Sequence, residues 1–181
     1  MSGGLLHSDG TTGGSIIVFF APLGRVLFMT PSDLFFQLGA EHRRQVHLSL
    51  CEDALSTWVD YVRGEPRELR YRDSVVGMRH LVEVGLPADA LRSAQAGVDL
   101  AGVCDRYLEP ICAMQDDDLV FPDPVEFAYY AIYNCFRKYA RGDDIEDWLI
   151  VNQALSAHDI DEAAPRLTRT IDDVARTRPE N

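Results

Sequence analysis

The pattern of hydrophobic and polar positions changes along the chain from short apolar runs to helical stripes. Residues 15–29 contain two β-branched and aromatic runs on either side of a turn signal at residues 21–24, and they predict two short strands. Beyond residue 30 the apolar residues mostly recur every three or four positions, which is typical of amphipathic helices. The pattern therefore predicts an α+β fold, mainly α, with a small N-terminal β-sheet or hairpin and a helical C-terminal half.

Capping signals mark the first helical segment after these strands. Thr30 is a good N-cap, and the acidic side chain of Asp33 suits the positive end of a helix that Gly39 would end. Residues 45–50 alternate polar and apolar side chains, and they predict a short strand.

The next helix is marked by Ser49 and Glu52, which stand at capping-box spacing, and by Gly64 as its end. The pattern at residues 66–84 fits two secondary-structure assignments. It fits two strands, and it also fits a strand followed by a short helix, because short apolar runs cannot be assigned by periodicity alone.

Three further segments have helical spacing. Residues 87–96 predict a helix that Gly97 ends, and residues 98–114 predict a helix with a kink or break at Pro110. The last predicted helix spans roughly residues 160–176.

The segment 123–155 predicts an antiparallel helical hairpin. Asp123 is placed as the N-cap of its first helix, and Gly142 is placed to end that helix. Asp143 and Glu146 are placed to cap the second helix. Because the connection is so short, the two helices should be antiparallel neighbours.

The glycine content of the first residues suggests a boundary near residue 14. Residues 1–14 contain five glycines and few apolar anchors, and we expect a flexible N-terminal arm. The length of 181 residues suits one domain, so residues 15–181 are predicted to form a single globular domain.

The net charge of −12 restricts the class of partner. Residues 91–181 carry 18 acids against 9 bases, and residues 1–90 carry 11 acids against 8 bases. Nucleic-acid binding, which requires clustered Lys and Arg, is therefore disfavoured, and a basic protein is the more natural partner.

Composition also bears on location. Residues 1–14 contain no basic side chain, and the apolar run at 16–29 is interrupted by Pro22 and Arg25, so neither a secretion signal nor a membrane span is predicted. Four scattered cysteines suggest reduced thiols, and the near-exclusive use of arginine over lysine suggests a bacterial source. We expect a cytoplasmic protein of a bacterium.

No recognisable catalytic motif is present. The sequence has no GxSxG, HExxH or glycine-rich phosphate loop, and its five histidines are dispersed. No catalytic residue and no cofactor are predicted.

Two acidic groups nevertheless suggest an alternative. Residues 143–147, with the sequence DDIED, resemble the DDxxD motif of helical terpenoid synthases, in which it binds magnesium ions that hold a diphosphate. The resemblance covers five residues and implies a small helical magnesium-dependent enzyme that acts on a phosphorylated substrate. An antiparallel return would also bring residues 156–162 near residues 116–118, which would gather further carboxylates. Helix capping explains the same acids, and no metal site is predicted.

The hairpin is unusually rich in rings, since seven of the 17 Phe, Trp and Tyr residues lie in it. Tyr129 and Phe136 belong to one apolar helix face, whereas Phe127, Tyr130 and Tyr133 lie off that face. These three rings either belong to a central buried helix or form an interface, because tyrosine is enriched at interfaces.

These observations favour a non-catalytic, acidic interaction protein of a bacterial cytosol that binds a basic partner protein, as immunity and antagonist proteins do. A homo-oligomeric structural component is a third alternative. The predicted partner contacts are Asp116, Asp117, Asp118, Tyr130, Tyr133, Asp143, Asp144 and Asp147.

Overall fold

A computed structural model describes residues 17–20, 26–65, 68–73, 76–100 and 102–176. The predicted N-terminal arm, residues 1–14, lies outside these ranges.

Seven α-helices and two separate two-stranded antiparallel sheets are found within the described residues. In chain order the elements are β1 (Ile17–Phe20), β2 (Val26–Met29), α1 (Pro31–Gln37), α2 (Ala40–Gly64), β3 (Arg70–Arg72), β4 (Arg79–Leu81), α3 (Leu86–Ala96), α4 (Val103–Gln115), α5 (Asp123–Phe136), a π-helical turn (Arg137–Arg141), α6 (Asp147–Ser156) and α7 (Ile160–Arg176). The predicted α+β, mainly α fold is thus confirmed. No helix in this part of the chain is long and apolar enough to span a membrane.

The chain divides into two compact units. One comprises Met1–Val46 together with Ile160–Asn181, and the other comprises His47–Asp159. The helix α2 contributes residues to both units. The single globular domain predicted for residues 15–181 stays a prediction.

The first unit contains the N-terminal strands, α1 and α7. β1 and β2 pair antiparallel with Ile17 opposite Met29, as the two apolar runs predict. The predicted cap of α1 is confirmed, since Thr30 Oγ1 accepts a hydrogen bond from the Asp33 amide and the Asp33 carboxylate accepts one from the Thr30 amide. α1 packs against β2 and α7, and α7 has the predicted bounds.

The second unit is built around α5, which packs against α3 and α6. Its Tyr129 is fully buried in an aromatic cluster, with ring centroids 5.1 Å from Trp58, 4.7 Å from Tyr107 and 6.0 Å from Phe121. Trp58 on α2 also donates a hydrogen bond of 2.8 Å to the Val84 carbonyl. Aromatic pairs at these distances contribute beyond their buried area, so this cluster is the centre of the unit.

The predicted strand at residues 45–50 and the helix start at Ser49 are both wrong, because α2 runs unbroken from Ala40 to Gly64. The polar and apolar alternation of residues 45–50 matched a strand by chance over six positions. The buried side chains show the true period, since they recur three or four residues apart: Val46, His47, Leu50, Cys51, Ala54 and Trp58. The predicted end at Gly64 is confirmed.

The helical hairpin is present as α5 and α6, but its predicted caps are shifted. Asp123 is the first residue of α5, and the N-cap position belongs to Pro122, which makes no side-chain cap hydrogen bond. α6 begins at Asp147, and Glu146 at its N-cap makes no side-chain cap hydrogen bond either. Gly142 follows the π-helical turn with a φ of 75°, a left-handed conformation that glycine adopts without strain.

The open assignment at residues 66–84 resolves into two short strands, β3 and β4. α3 ends where predicted, with Gly97 at a φ of 72°. α4 begins at Val103, later than the predicted residue 98, and it continues through Pro110 without ending there.

Candidate interaction surface

At the start of α6, basic neighbours largely neutralise the aspartates that were predicted to contact a partner. Asp143 Oδ2 lies 2.7 Å from Arg137 Nε and 3.6 Å from Arg141 Nε. The hydrogen bond from Arg137 and the charges of both arginines hold the pKa of Asp143 below its ordinary value. Asp147 Oδ1 lies 3.0 Å from Lys138 Nζ. Three cations therefore face two of the three predicted aspartates, and Asp144 is the exposed member of the group.

The π-helical turn supplies those three cations, and a buried histidine fixes it. His47 on α2 is fully buried, with Nδ1 2.6 Å from Tyr139 Oη and Nε2 3.0 Å from the Asp147 carbonyl oxygen. A carbonyl oxygen only accepts, so Nε2 carries the proton, and in the neutral ring Nδ1 accepts from the Tyr139 hydroxyl. His47 thus ties the turn and the start of α6 to α2, which is a structural role.

The three aspartates that follow α4 are exposed but do not act as one group. Asp116 is the C-cap of α4, and Asp117 has a left-handed φ of 59°. The Asp118 amide donates to the Ala113 carbonyl, which turns the chain back on the helix end. The carboxylate of Asp117 is close enough to Glu126 to influence its ionisation, whereas Asp118 borders a cleft formed by β3 and β4.

The off-face rings of α5 are neither core nor fully exposed. Tyr133 is half-buried and stacks on Tyr107 with ring centroids 5.1 Å apart and an interplanar angle of 22°. The Arg137 guanidinium lies 5.6 Å from the Tyr133 ring centroid. Tyr130 is also half-buried, and Phe127 is 39% exposed. These rings continue the aromatic core outward to the surface.

Three carboxylates lie near one another, and one of them, Glu126, is close to Tyr130. Burial raises the pKa of Glu126, and the charges of Asp123 and Asp117 raise it further. Burial likewise raises the pKa of Tyr130, with a contribution from the charge of Glu126. We call this surface the acidic–aromatic strip, and it consists of Asp117, Asp123, Glu126, Phe127, Tyr130 and Tyr133.

No family model, curated protein or solved structure matches this chain.

Two members of the strip, Asp123 and Glu126, were missed by sequence reasoning, which assigned Asp123 to helix capping. The signal was available, because Glu126, Tyr130 and Tyr133 follow the four- and three-residue steps of a second helical face. That face lies away from the buried one, and neither acid makes a side-chain cap hydrogen bond.

The carboxylates of the chain do not gather into a metal centre in the part of the structure described. No group of three or more His, Cys, Asp or Glu side chains within those ranges is placed to hold a metal ion. In the DDIED segment, Asp143 is engaged with Arg137 and Arg141, and Asp147 is engaged with Lys138. The magnesium alternative therefore gains no support from the geometry.

Proposed function

We propose that this chain is a non-catalytic interaction protein whose acidic–aromatic strip binds a basic region of a partner protein. One observation carries the proposal. The carboxylates of Asp117, Asp123 and Glu126 have no ion-pair partner among the described residues, although they lie near one another and Glu126 is close to the half-buried Tyr130 ring. Burial raises the pKa of Glu126, and repulsion from the charges of Asp123 and Asp117 raises it further. A cationic partner would relieve that repulsion.

The contrast between the two acidic regions supports this choice of surface. At the start of α6, Asp143 and Asp147 are already paired within the chain, so their charges are compensated. In the strip the charges are left for a partner. Of the contacts predicted from the sequence, the proposal therefore retains Asp117, Tyr130 and Tyr133, with Asp116 beside them.

The rings of the strip suit an interface in two ways. Tyrosine and phenylalanine are enriched at the centres of protein interfaces, and charges at the rim speed association with a partner of opposite charge. Tyr133 is held by its stack on Tyr107, so it loses little side-chain freedom when it is covered. The proposal includes a bacterial cytosolic setting and an immunity or antagonist role, both of which rest on the composition of the chain.

Photo-cross-linking in the native host tests the proposal. A photoreactive phenylalanine analogue replaces Phe127 in one variant and Leu149 on α6 in a matched control, because these side chains are 39% and 40% exposed. We expect position 127 to capture a protein with a basic surface and position 149 not to capture it.

The other outcomes are decisive as well. Capture of a second copy of this chain at position 127 would favour the homo-oligomeric component. Equal capture of the same partner at both positions, or no capture at position 127, would contradict the assignment of the strip.

A further inference from the structure

The hairpin of β3 and β4 borders a cleft that is basic, in contrast to the acidic chain as a whole. The cleft has a volume of about 340 Å³. The described residues that line it are Arg70, Tyr71, Arg72, Arg79 and Asp118.

The strand register brings the three arginines to one face of the hairpin. Arg72 is directly opposite Arg79 in the antiparallel pair, and Arg70 precedes Arg72 by two residues on the same side of β3. All three arginines are exposed. Like charges directly opposite each other on a sheet destabilise the pair, so this arrangement costs stability in the absence of an anion.

The turn of the hairpin fixes the position of one of these arginines. Arg72 Nε donates a hydrogen bond of 3.0 Å to the Gly77 carbonyl. Gly77 has a φ of 68°, and a Cβ added there would lie 3.2 Å from a terminal nitrogen of Arg72. Asp73 stabilises the turn by accepting from the Gly77 and Val76 amides. The hydrogen bond to Gly77 thus holds the Arg72 guanidinium in place. It uses one of the five N–H donors of that group.

The carboxylates near the cleft compensate only part of the charge. Asp118 is the acidic residue of its described lining. Arg70 Nη2 makes an ion pair of 2.6 Å with Glu68, in which both side chains are exposed. Three guanidinium groups therefore face one carboxylate in the lining, and Glu68 pairs at the rim. Burial raises the pKa of Tyr71, and the charges of Glu109, Glu83 and Asp73 raise it further, so these three carboxylates lie on the Tyr71 side of the hairpin.

We propose that the cleft bordered by Arg70, Arg72 and Arg79 is a binding site for a small phosphate-bearing anion of the diphosphate class. Guanidinium groups bind phosphate oxygens through paired hydrogen bonds. The volume lies at the lower end of the range for small-ligand pockets, and the largely polar lining disfavours an apolar ligand. This site is separate in residues from the acidic–aromatic strip and adds a function to it.

Titration of the full chain with inorganic pyrophosphate tests the proposal, with calorimetry at constant ionic strength as the readout. The wild-type chain is expected to bind one equivalent saturably. Arg72→Gln and Arg79→Gln should each weaken binding about tenfold, as the loss of a charge-assisted hydrogen-bond pair predicts. The matched control is Arg63→Gln, which removes an exposed arginine of α2 that pairs with Asp60 at 3.9 Å, and its affinity should equal that of the wild type.

A variant of opposite sign separates a binding role from a structural one. Asp118→Asn removes the carboxylate of the cleft, so it should tighten pyrophosphate binding, which a merely damaged hairpin would not do. Absence of saturable binding by the wild-type chain would overturn the proposal. So would pyrophosphate binding that Arg72→Gln and Arg79→Gln leave unchanged, or Asp118→Asn binding weaker than the wild type.

Discussion

The buried contact between His47 and Tyr139 gives the sharpest stability prediction. The Tyr139 hydroxyl lies 2.6 Å from His47 Nδ1, and His47 is fully buried. Tyr139→Phe removes this donor and keeps the ring. A buried acceptor that loses its partner costs about 1–3 kcal/mol, whereas the net contribution of an ordinary hydrogen bond is about 0.5–1.5 kcal/mol. We therefore expect Tyr139→Phe to lower the free energy of unfolding by about 1–3 kcal/mol.

A double-mutant cycle isolates this contact from the rest of the site. His47→Leu removes both ring nitrogens, including the donor to the Asp147 carbonyl at 3.0 Å. With no acceptor left at position 47, the hydroxyl of Tyr139 contributes less, so Tyr139→Phe should cost about 1 kcal/mol less in the His47→Leu background than in the wild type. Urea unfolding followed by circular dichroism and tryptophan fluorescence measures the four free energies. Additive costs, within about 0.3 kcal/mol, would refute the hydrogen bond as a stabilising contact.

Three further predictions concern charges and thiols. Glu126→Gln should raise the free energy of unfolding at pH 7 by a few tenths of a kcal/mol. The reason is that the pKa of Glu126 is raised in the fold, so the fold disfavours the ionised carboxylate. The gain in stability should therefore vanish in unfolding curves recorded below the ordinary pKa of 4.5, where the carboxyl group is protonated. Asp143→Asn should lower the free energy of unfolding at pH 7 by less than about 1 kcal/mol. Because the pKa of Asp143 is lowered in the fold, this loss of stability should disappear as the pH falls below the ordinary pKa of 3.8 and through the pKa of the folded state. In the native chain a thiol reagent, followed by mass spectrometry, should label two cysteines before unfolding and four after it. The half-exposed pair is Cys104 and Cys112, and the buried pair is Cys51 and Cys135.

Opposite results would contradict each of these statements. A loss of stability in Glu126→Gln at pH 7 would show that the carboxylate is stabilised in the fold, as an acid in the first turn of a helix can be. A pH-independent effect of Asp143→Asn would exclude its ion pairs as the cause. Rapid native labelling of Cys51, whose thiol pKa is raised by its contact with Cys135 and by burial, would show that the core opens readily.

Much of the helical architecture could be predicted from local signals. Thr30 and Asp33 mark a helix start because their side chains bond the backbone of the same turn. Gly97 and Gly142 mark helix ends because both adopt a left-handed φ. Such signals depend on neighbouring residues only, but they do not decide alone, since Ser49 carries a capping signal within the unbroken helix α2.

The features that were missed depend on tertiary contacts. The continuity of α2 follows from burial of both Val46 and His47, which no alternation over six residues reveals. The pairing of Asp147 with Lys138 depends on the π-helical turn, and the cluster of arginines depends on the register that sets Arg72 opposite Arg79. A sequence shows each of these charges but not which of them remain uncompensated.

The most direct test of the proposed interaction is the affinity of the partner captured at position 127 for defined variants of the chain. Asp123→Asn combined with Glu126→Gln removes two charges of the strip, and Asp144→Asn removes one exposed charge outside it. We expect the double variant to weaken binding about tenfold or more at low salt, with a smaller effect at high salt, and the Asp144→Asn control to bind as the wild type does. Equal affinities for the wild type and the double variant, or a larger loss in Asp144→Asn, would contradict the account.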